Sequence, residues 1–238
     1  MLNAIGLQNP GIEYFLEHDL PFLKQYNTAI IVNAIGHTVE DYIEVCKVLN
    51  NANVDGVELN LSCPNVKEGC LAFGISYDGI KAITTEVRKI LTNKPLIVKL
   101  SPNVTDITIT AKAAEDAGAD AVSLINTITA MSIDIDKRRP VLANNTGGLS
   151  GPAIKPIAVR MVYQVAQDVK IPILGMGGVI TGSDAVEFML AGANAVSIGC
   201  GNFIKPDCSL EVISGIEDYM KKHGFNELSD FVGTLQMN

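Results

Sequence analysis

Residues 60–69 read "NLSCPNVKEG" and follow an apolar run, "VDGVEL", of the kind that forms a buried strand. A turn leaving a strand uses asparagine and proline, but it has no need of a thiol. Most free cysteines are small buried hydrophobes, and Cys46, inside a helical pattern, fits that description. Cys63 does not. It lies past the strand end, beside Pro64 and between amides, in a loop with Gly69 and Gly74 that can close over a ligand and reopen. A free thiol has a pKa of about 8.5, so a cysteine placed there can take a proton at mildly alkaline pH, more easily where its neighbours favour thiolate.

Other apolar runs end in equally suggestive residues: Asn33, then Asn60 with Asn65, Lys99, Asn126 with Thr127, and finally Gly177, Gly178, Gly199 and Cys200. Asparagine offers donors and acceptors without charge, which suits a flat heterocycle carrying alternating C=O and N–H groups. Taken alone, Asn33 is equally well a turn-former. Lys99 follows "PLIV", where a core strand would stay apolar. It is either an ion-paired or snorkelling lysine or a cation beside a cofactor that acquires negative charge. The glycine pairs "GMGG" and "IGCG" on successive late runs allow backbone N–H groups to approach a phosphate, and they point to a mononucleotide such as FMN. No GxGxxG follows a first strand, so a Rossmann site for NAD is not expected. His18, His37 and His223 fall outside this set, and no His or carboxylate cluster joins it, so no metal centre is expected.

The elements that must hold these residues follow one rhythm: an apolar run, a polar or glycine-rich corner, then an amphipathic helical stretch. The runs span 28–36, 54–64, 94–103, 119–127, 171–179 and 193–201, giving six strand–helix units with no linker between them. One domain over 1–238 with a parallel α/β sheet is expected. Polar residues sit at the end of every strand and not at one switch point, which favours a TIM (β/α)8 barrel over a doubly wound sheet. A closed barrel needs two more units than these six, so the chain reads as short at its N-terminus. The excursion 128–152 reads as a small hairpin, with "SIDID" leading through "KRRP" to a return along "PVLAN".

Composition bounds the function. Hydrophobic residues make up 47% of the chain but aromatics only 5%, so small and branched aliphatics with 21 glycines carry the core, as in parallel α/β proteins. A net charge of −8 argues against nucleic acid as the main partner. Five cysteines at scattered spacings, with no CxxC pair, suggest neither a disulfide framework nor a cluster site. No apolar run approaches the roughly 18 residues of a membrane span, and "MLNAIGLQNPG" lacks the pattern of a signal peptide, so a cytoplasmic location is expected.

Several stretches together resemble the dihydroorotate dehydrogenases, and within them the class 1B catalytic subunits. They are "MLNAIGLQNPG" (1–11), "NLSCPNVKEG" with "AFG" (60–74), "VKLSPN" (98–103), "INT" (125–127), "RRPVLANNTGGLSGPAIKPIAVRMVYQV" (138–165) and "GMGGV" (175–179). The resemblance implies that Cys63 is the base that removes a proton from C5 of dihydroorotate, with hydride passing from C6 to FMN to give orotate. It further implies that Asn3, Asn60, Asn65, Asn126 and Thr127 hold the substrate, with the backbone of Ile5, Gly6 and Leu7 closing one side. Asn33, Asn60, Lys99 and Ile125 would meet the flavin ring, and Gly151, Gly177, Gly178, Gly199 and Cys200 the ribityl phosphate. A homodimer is implied, associated with partner subunits that carry FAD and an iron–sulfur cluster and reduce NAD.

The sequence departs from the family pattern in three places. The family begins with two further strands, so this sequence is read as a piece, as a misassigned start or as a chain completed by a partner. Cys70 stands where glycine is usual, and Cys200 where threonine is usual beside the phosphate, a weaker donor there. Two other functions stay in view: an FMN barrel acting on another reduced pyrimidine, as in dihydropyrimidine dehydrogenase, and an inactive fragment serving as an interaction module.

Overall fold

The apolar runs fold into six short parallel strands: β1 Ile31–Ala34, β2 Gly56–Asn60, β3 Leu96–Lys99, β4 Ala121–Leu124, β5 Ile173–Met176 and β6 Ala195–Ser197. This is a computed structural model, and it describes residues 1–61 and 73–238. Cys63, Asn65 and Cys70 therefore lie outside the described residues. Each strand is followed by a long helix: α1 Val39–Asn51, α2 Tyr77–Ile90, α3 Ile107–Asp116, α4 Lys155–Asp168, α5 Gly182–Leu190 and α6 Cys208–His223.

Every strand pairs with its neighbour in sequence, so the sheet runs β1 to β6 without a reversal. A doubly wound sheet would turn back at a switch point, and this one does not. Among the described residues, β1 and β6 each pair on one side only, so the sheet is open and singly wound, consistent with six of the eight units of a barrel that they do not close.

Strand alternation separates two faces. Val57, Leu59, Leu96, Val98, Val122 and Leu124 are fully buried and join one core with Ile80, Ile83 and Val87 of α2 and Val162 of α4. Glu58, Asn60, Lys99 and Ser123 occupy the intervening positions and face the other way. The sheet register puts Asn33 beside Glu58, Asn60 beside Lys99, and Lys99 beside Ser123.

Four of the six corners after the strands are helix caps. Thr38 and Asp41 form a reciprocal capping box at α1, as do Thr181 and Asp184 at α5, while Ser76 and Asp106 accept backbone N–H bonds at α2 and α3. These caps lie beyond the strand ends, so the four helices start away from the strand-end residues.

The excursion after β4 contains the expected hairpin, Ile133–Asp134 against Arg139–Pro140, with its returning arm starting one residue before "PVLAN". A second feature was not expected. Gly147–Leu149 pairs on one side with Ile128–Ala130 and on the other with Leu2–Asn3, making a three-stranded antiparallel sheet. Helical turns over Ile12–Tyr14, Phe15–Asp19 and Leu20–Leu23 were also missed, although Ile12, Phe15, Leu16, Leu20 and Leu23 carry a helical spacing and pack on the core.

Candidate active site

Four of the expected residues meet at the strand ends through a continuous line of side-chain bonds. Asn126, just past β4, donates from Nδ2 to Asn60 Oδ1 at 3.3 Å. Asn60, at the end of β2, donates from Nδ2 to Asn33 Oδ1 at 3.4 Å. Asn33, in β1, donates from Nδ2 to Glu58 Oε2. At the other end of the line, Asn126 Oδ1 accepts from the backbone N–H of Thr127 at 2.7 Å. Asn60 is itself anchored, because the buried Tyr42 hydroxyl donates to its carbonyl at 2.8 Å.

The cation belongs to the same cluster. Lys99 Nζ lies 3.6 Å from Glu58 Oε2, with the two side chains 20% and 10% exposed. Ser123 donates to the other carboxylate oxygen at 2.6 Å. Of the two readings of Lys99 in the sequence the structure shows the ion pair, and it places that pair beside the amide line. A carboxylate that sequence reasoning passed over belongs to the set: Glu58. Its signal was legible as a charged residue inside the apolar run "VDGVEL", where an ionised side chain is costly unless paired.

Thr127 is held by a residue that sequence reasoning passed over. Asn103 donates to the Thr127 carbonyl at 3.1 Å and accepts from Thr129 N–H at 2.9 Å, so it bridges the segment after β3 to the loop after β4. The short antiparallel sheet brings Asn3 to the same place, since Gly148 lies between Asn3 and Thr129 in register. A Cβ on Gly148 would fall 2.3 Å from Thr127 Oγ1, so glycine is needed there for that threonine to keep its position. Ile5, Gly6 and Leu7 continue from Asn3 as an exposed turn with Gly6 and Leu7 at positive φ, and Asn3 Oδ1 accepts from Ile5 N–H at 3.4 Å. No hydrogen bond of the described residues joins these three to the amide line, and Asn9 donates to the Leu7 carbonyl at 2.8 Å.

The glycine residues gather on the far side of β5 and β6. Gly151, Gly177 and Gly178 all have positive φ, and a Cβ on Gly178 would come within 2.8 Å of the Gly151 carbonyl. Cys200 donates from Sγ to Ser150 Oγ at 3.0 Å and lies beside Gly151. Ile125, buried at the end of β4, faces Gly177. At Gly199 a Cβ would meet no atom within 4 Å, and its φ of −101° suits any residue, so neither packing nor backbone demands glycine there.

These differences separate two substitutions. Gly178→Ala should lose about 1–2 kcal/mol to the left-handed backbone alone, lower the melting temperature and weaken flavin retention. Gly199→Ala should leave melting unchanged, so any flavin it loses reports a ligand contact. Thermal melting and flavin content of the two purified variants check this, and equal melting losses would refute it.

The remaining described thiols are not reagents. Burial pushes Cys46 up to about 12, and Cys208 is buried with its Sγ donating to the Ile180 carbonyl at 3.2 Å. A depression of about 570 Å³ lined by Arg88, Thr92 and Asp120 sits at the opposite ends of β3 and β4, among ion-paired surface groups and away from the amide line.

A line of three asparagines, a lysine–carboxylate pair and a glycine-lined corner thus lie at the strand ends, rich in uncharged donors and acceptors. The dihydroorotate dehydrogenase family profile matches residues 1–220. The chain belongs to the dihydroorotate dehydrogenase family. It is 57% identical over 235 residues to the catalytic subunit of dihydroorotate dehydrogenase B (NAD(+)) of Alkaliphilus metalliredigens, covering 99% of this chain and 78% of the relative. The subunit of the same name from Thermoanaerobacter pseudethanolicus is 56% identical over 238 residues, 100% of this chain and 78% of that one. The one from Porphyromonas gingivalis is 51% identical over 236 residues, 99% and 76% respectively.

Proposed function

We propose that this chain is the catalytic subunit of an NAD-linked dihydroorotate dehydrogenase, forming orotate for pyrimidine biosynthesis. The observation that carries the proposal is the amide line of Asn126, Asn60 and Asn33 closing on the Lys99–Glu58 pair, within a chain whose relatives bear that name. The full protein is taken to be an eight-stranded barrel of which β1 to β6 are the described part.

In this scheme Cys63 takes the proton from C5 of dihydroorotate, a position made acidic by the neighbouring ring carbonyl. Asn3, Asn60, Asn65, Asn126 and Thr127 hold the ring edges and the carboxylate, and the turn over residues 5–7 closes over them. Asn33, Lys99 and Ile125 face the flavin ring, and Gly151, Gly177, Gly178, Gly199 and Cys200 surround its phosphate. FMN bound there supplies the acceptor for the hydride leaving C6. Loss of the C5 proton and the C6 hydride leaves the C5–C6 double bond of orotate. NAD is reduced on a partner subunit carrying FAD and an iron–sulfur cluster, with this chain as a homodimer at the centre of the assembly.

The test is anaerobic. Protein purified with its flavin should bleach on adding dihydroorotate. Bleaching by dihydrouracil alone would assign the chain to the other reduced-pyrimidine enzymes, and a colourless protein that binds no added FMN would refute the proposal.

A further inference from the structure

Backbone pairing between β3 and β4 runs on past the two strands. Leu100 N–H donates to the Ser123 carbonyl at 2.8 Å, and Asn126 N–H donates to the Leu100 carbonyl at 3.1 Å. Pro102, two residues further along, has no N–H with which to extend the ladder. Asn103 extends it with a side chain. Its Nδ2 donates to the Thr127 carbonyl at 3.1 Å, and its Oδ1 accepts from Thr129 N–H at 2.9 Å. A carbonyl and the N–H two residues on point to the same side of an extended chain, where a neighbouring strand would meet them. The carboxamide therefore stands in for one peptide group of a strand along that edge. The opposite edge of Ile128–Ala130 is taken by Gly147–Leu149.

The carboxamide is itself anchored. Asn103 donates to the Oγ of the buried Ser101 twice, from its backbone N–H at 3.2 Å and from Nδ2 at 3.3 Å. The residue is exposed, so its side chain fills no core position and its bonds are what it contributes. The bond from Thr127 N–H to Asn126 Oδ1 is local and travels with the loop after β4, whereas Asn103 ties that loop to a different strand. We infer that Asn103 is a positioning residue: it locks residues 127–129 to the turn after β3 and so sets where Thr127 meets the ligand. The ligand's identity rests on the functional proposal, which makes Thr127 a substrate contact. The lock does not.

Asn103→Leu keeps the branched shape and removes every polar atom of the side chain. In flavin-loaded protein it should weaken orotate binding about tenfold, read from the absorbance change on titration. The dihydroorotate concentration for half-maximal anaerobic bleaching should rise by the same factor, with the limiting rate within about threefold of normal. The proton and hydride steps fall to Cys63 and the flavin, so a loosened Thr127 takes affinity from ground and transition state alike. Asn103→Ala should behave as Asn103→Leu does, because bonds are lost and not core volume. Without ligand, the Thr129 amide should exchange with deuterium about tenfold faster in both variants, while amides inside β3 and β4 keep their rates.

Orotate affinity within about twofold of normal despite faster Thr129 exchange would overturn the inference, since the side chain would then only cover a sheet edge. A limiting rate that falls with flavin content, at unchanged half-saturation, would show a merely structural role and overturn it too. Should the unaltered protein bind no orotate, the functional proposal fails, and exchange measured by NMR decides the lock. Unchanged Thr129 exchange in Asn103→Leu would then refute it.

Discussion

Cys63→Ala is expected to purify with its flavin and to bleach with dihydroorotate about 10²–10⁴ times more slowly than the unaltered protein near neutral pH, the range that a positioned general base contributes. The flavin should survive because the groups proposed for it lie elsewhere in the sequence than the loop after β2: Lys99 ends β3, and Gly177, Gly178 and Gly199 follow β5 and β6. Cys63→Ser should do little better near neutral pH, since a hydroxyl gives up its proton far less readily than a thiol. Alkylation offers a parallel check. Cys46, with its thiol pushed up to about 12 and no exposure, should resist iodoacetamide while the protein is folded. Mass spectrometry should therefore find loss of bleaching tracking modification at residue 63. Anaerobic stopped-flow at saturating dihydroorotate measures the rate, and a Cys63→Ala protein bleaching within about threefold of normal would remove the assigned base.

The sheet was legible because each strand is an apolar run of β-branched residues ending in a polar corner, and both features are local. Four of the six corners turned out to be helix caps on Thr38, Ser76, Asp106 and Thr181, so their polarity has a structural cause. The site amides differ from these caps in position: Asn33 and Asn60 lie within the strands and Asn126 just beyond β4, before the capping corner begins. Glu58 escaped notice because a single carboxylate in "VDGVEL" reads as an interruption until its partners are seen, and Asn33, Lys99 and Ser123 come from three other strands. The pairing of Leu2–Asn3 with Gly147–Leu149 was out of reach for a similar reason. Strands of two and three residues have no periodicity to detect, and the contact joins segments about 145 residues apart in the sequence. It nevertheless matters to the site, because it carries Asn3 to Thr127 through Gly148. Lys99 lay between: its place after an apolar run allowed an ion pair or a cofactor cation, and the structure shows the ion pair, beside the amide line.

The ion pair makes Lys99→Met the substitution with the largest expected cost to stability. Glu58 is 7% exposed and would keep its donors Asn33 and Ser123 but lose its only cation among the described residues. Breaking a buried pair by removing one partner costs about 3–5 kcal/mol, and the two remaining donors place this case at the lower end. For a chain of this size about 3 kcal/mol corresponds to a melting temperature lower by roughly 6–12 °C. Replacing both members tests the cause. In Lys99→Met with Glu58→Gln no uncompensated charge is left, so most of the lost stability should return, and the double-mutant cycle should give a coupling well above the error of the measurement. Flavin behaviour should not return with it. Both the single and the double variant lack the cation proposed to stabilise the reduced ring, so both should retain less flavin and reduce it more slowly. Stability recovered together with flavin reduction would show that Lys99 serves only to neutralise Glu58; stability unaffected by Lys99→Met would show that the carboxylate needs no cation.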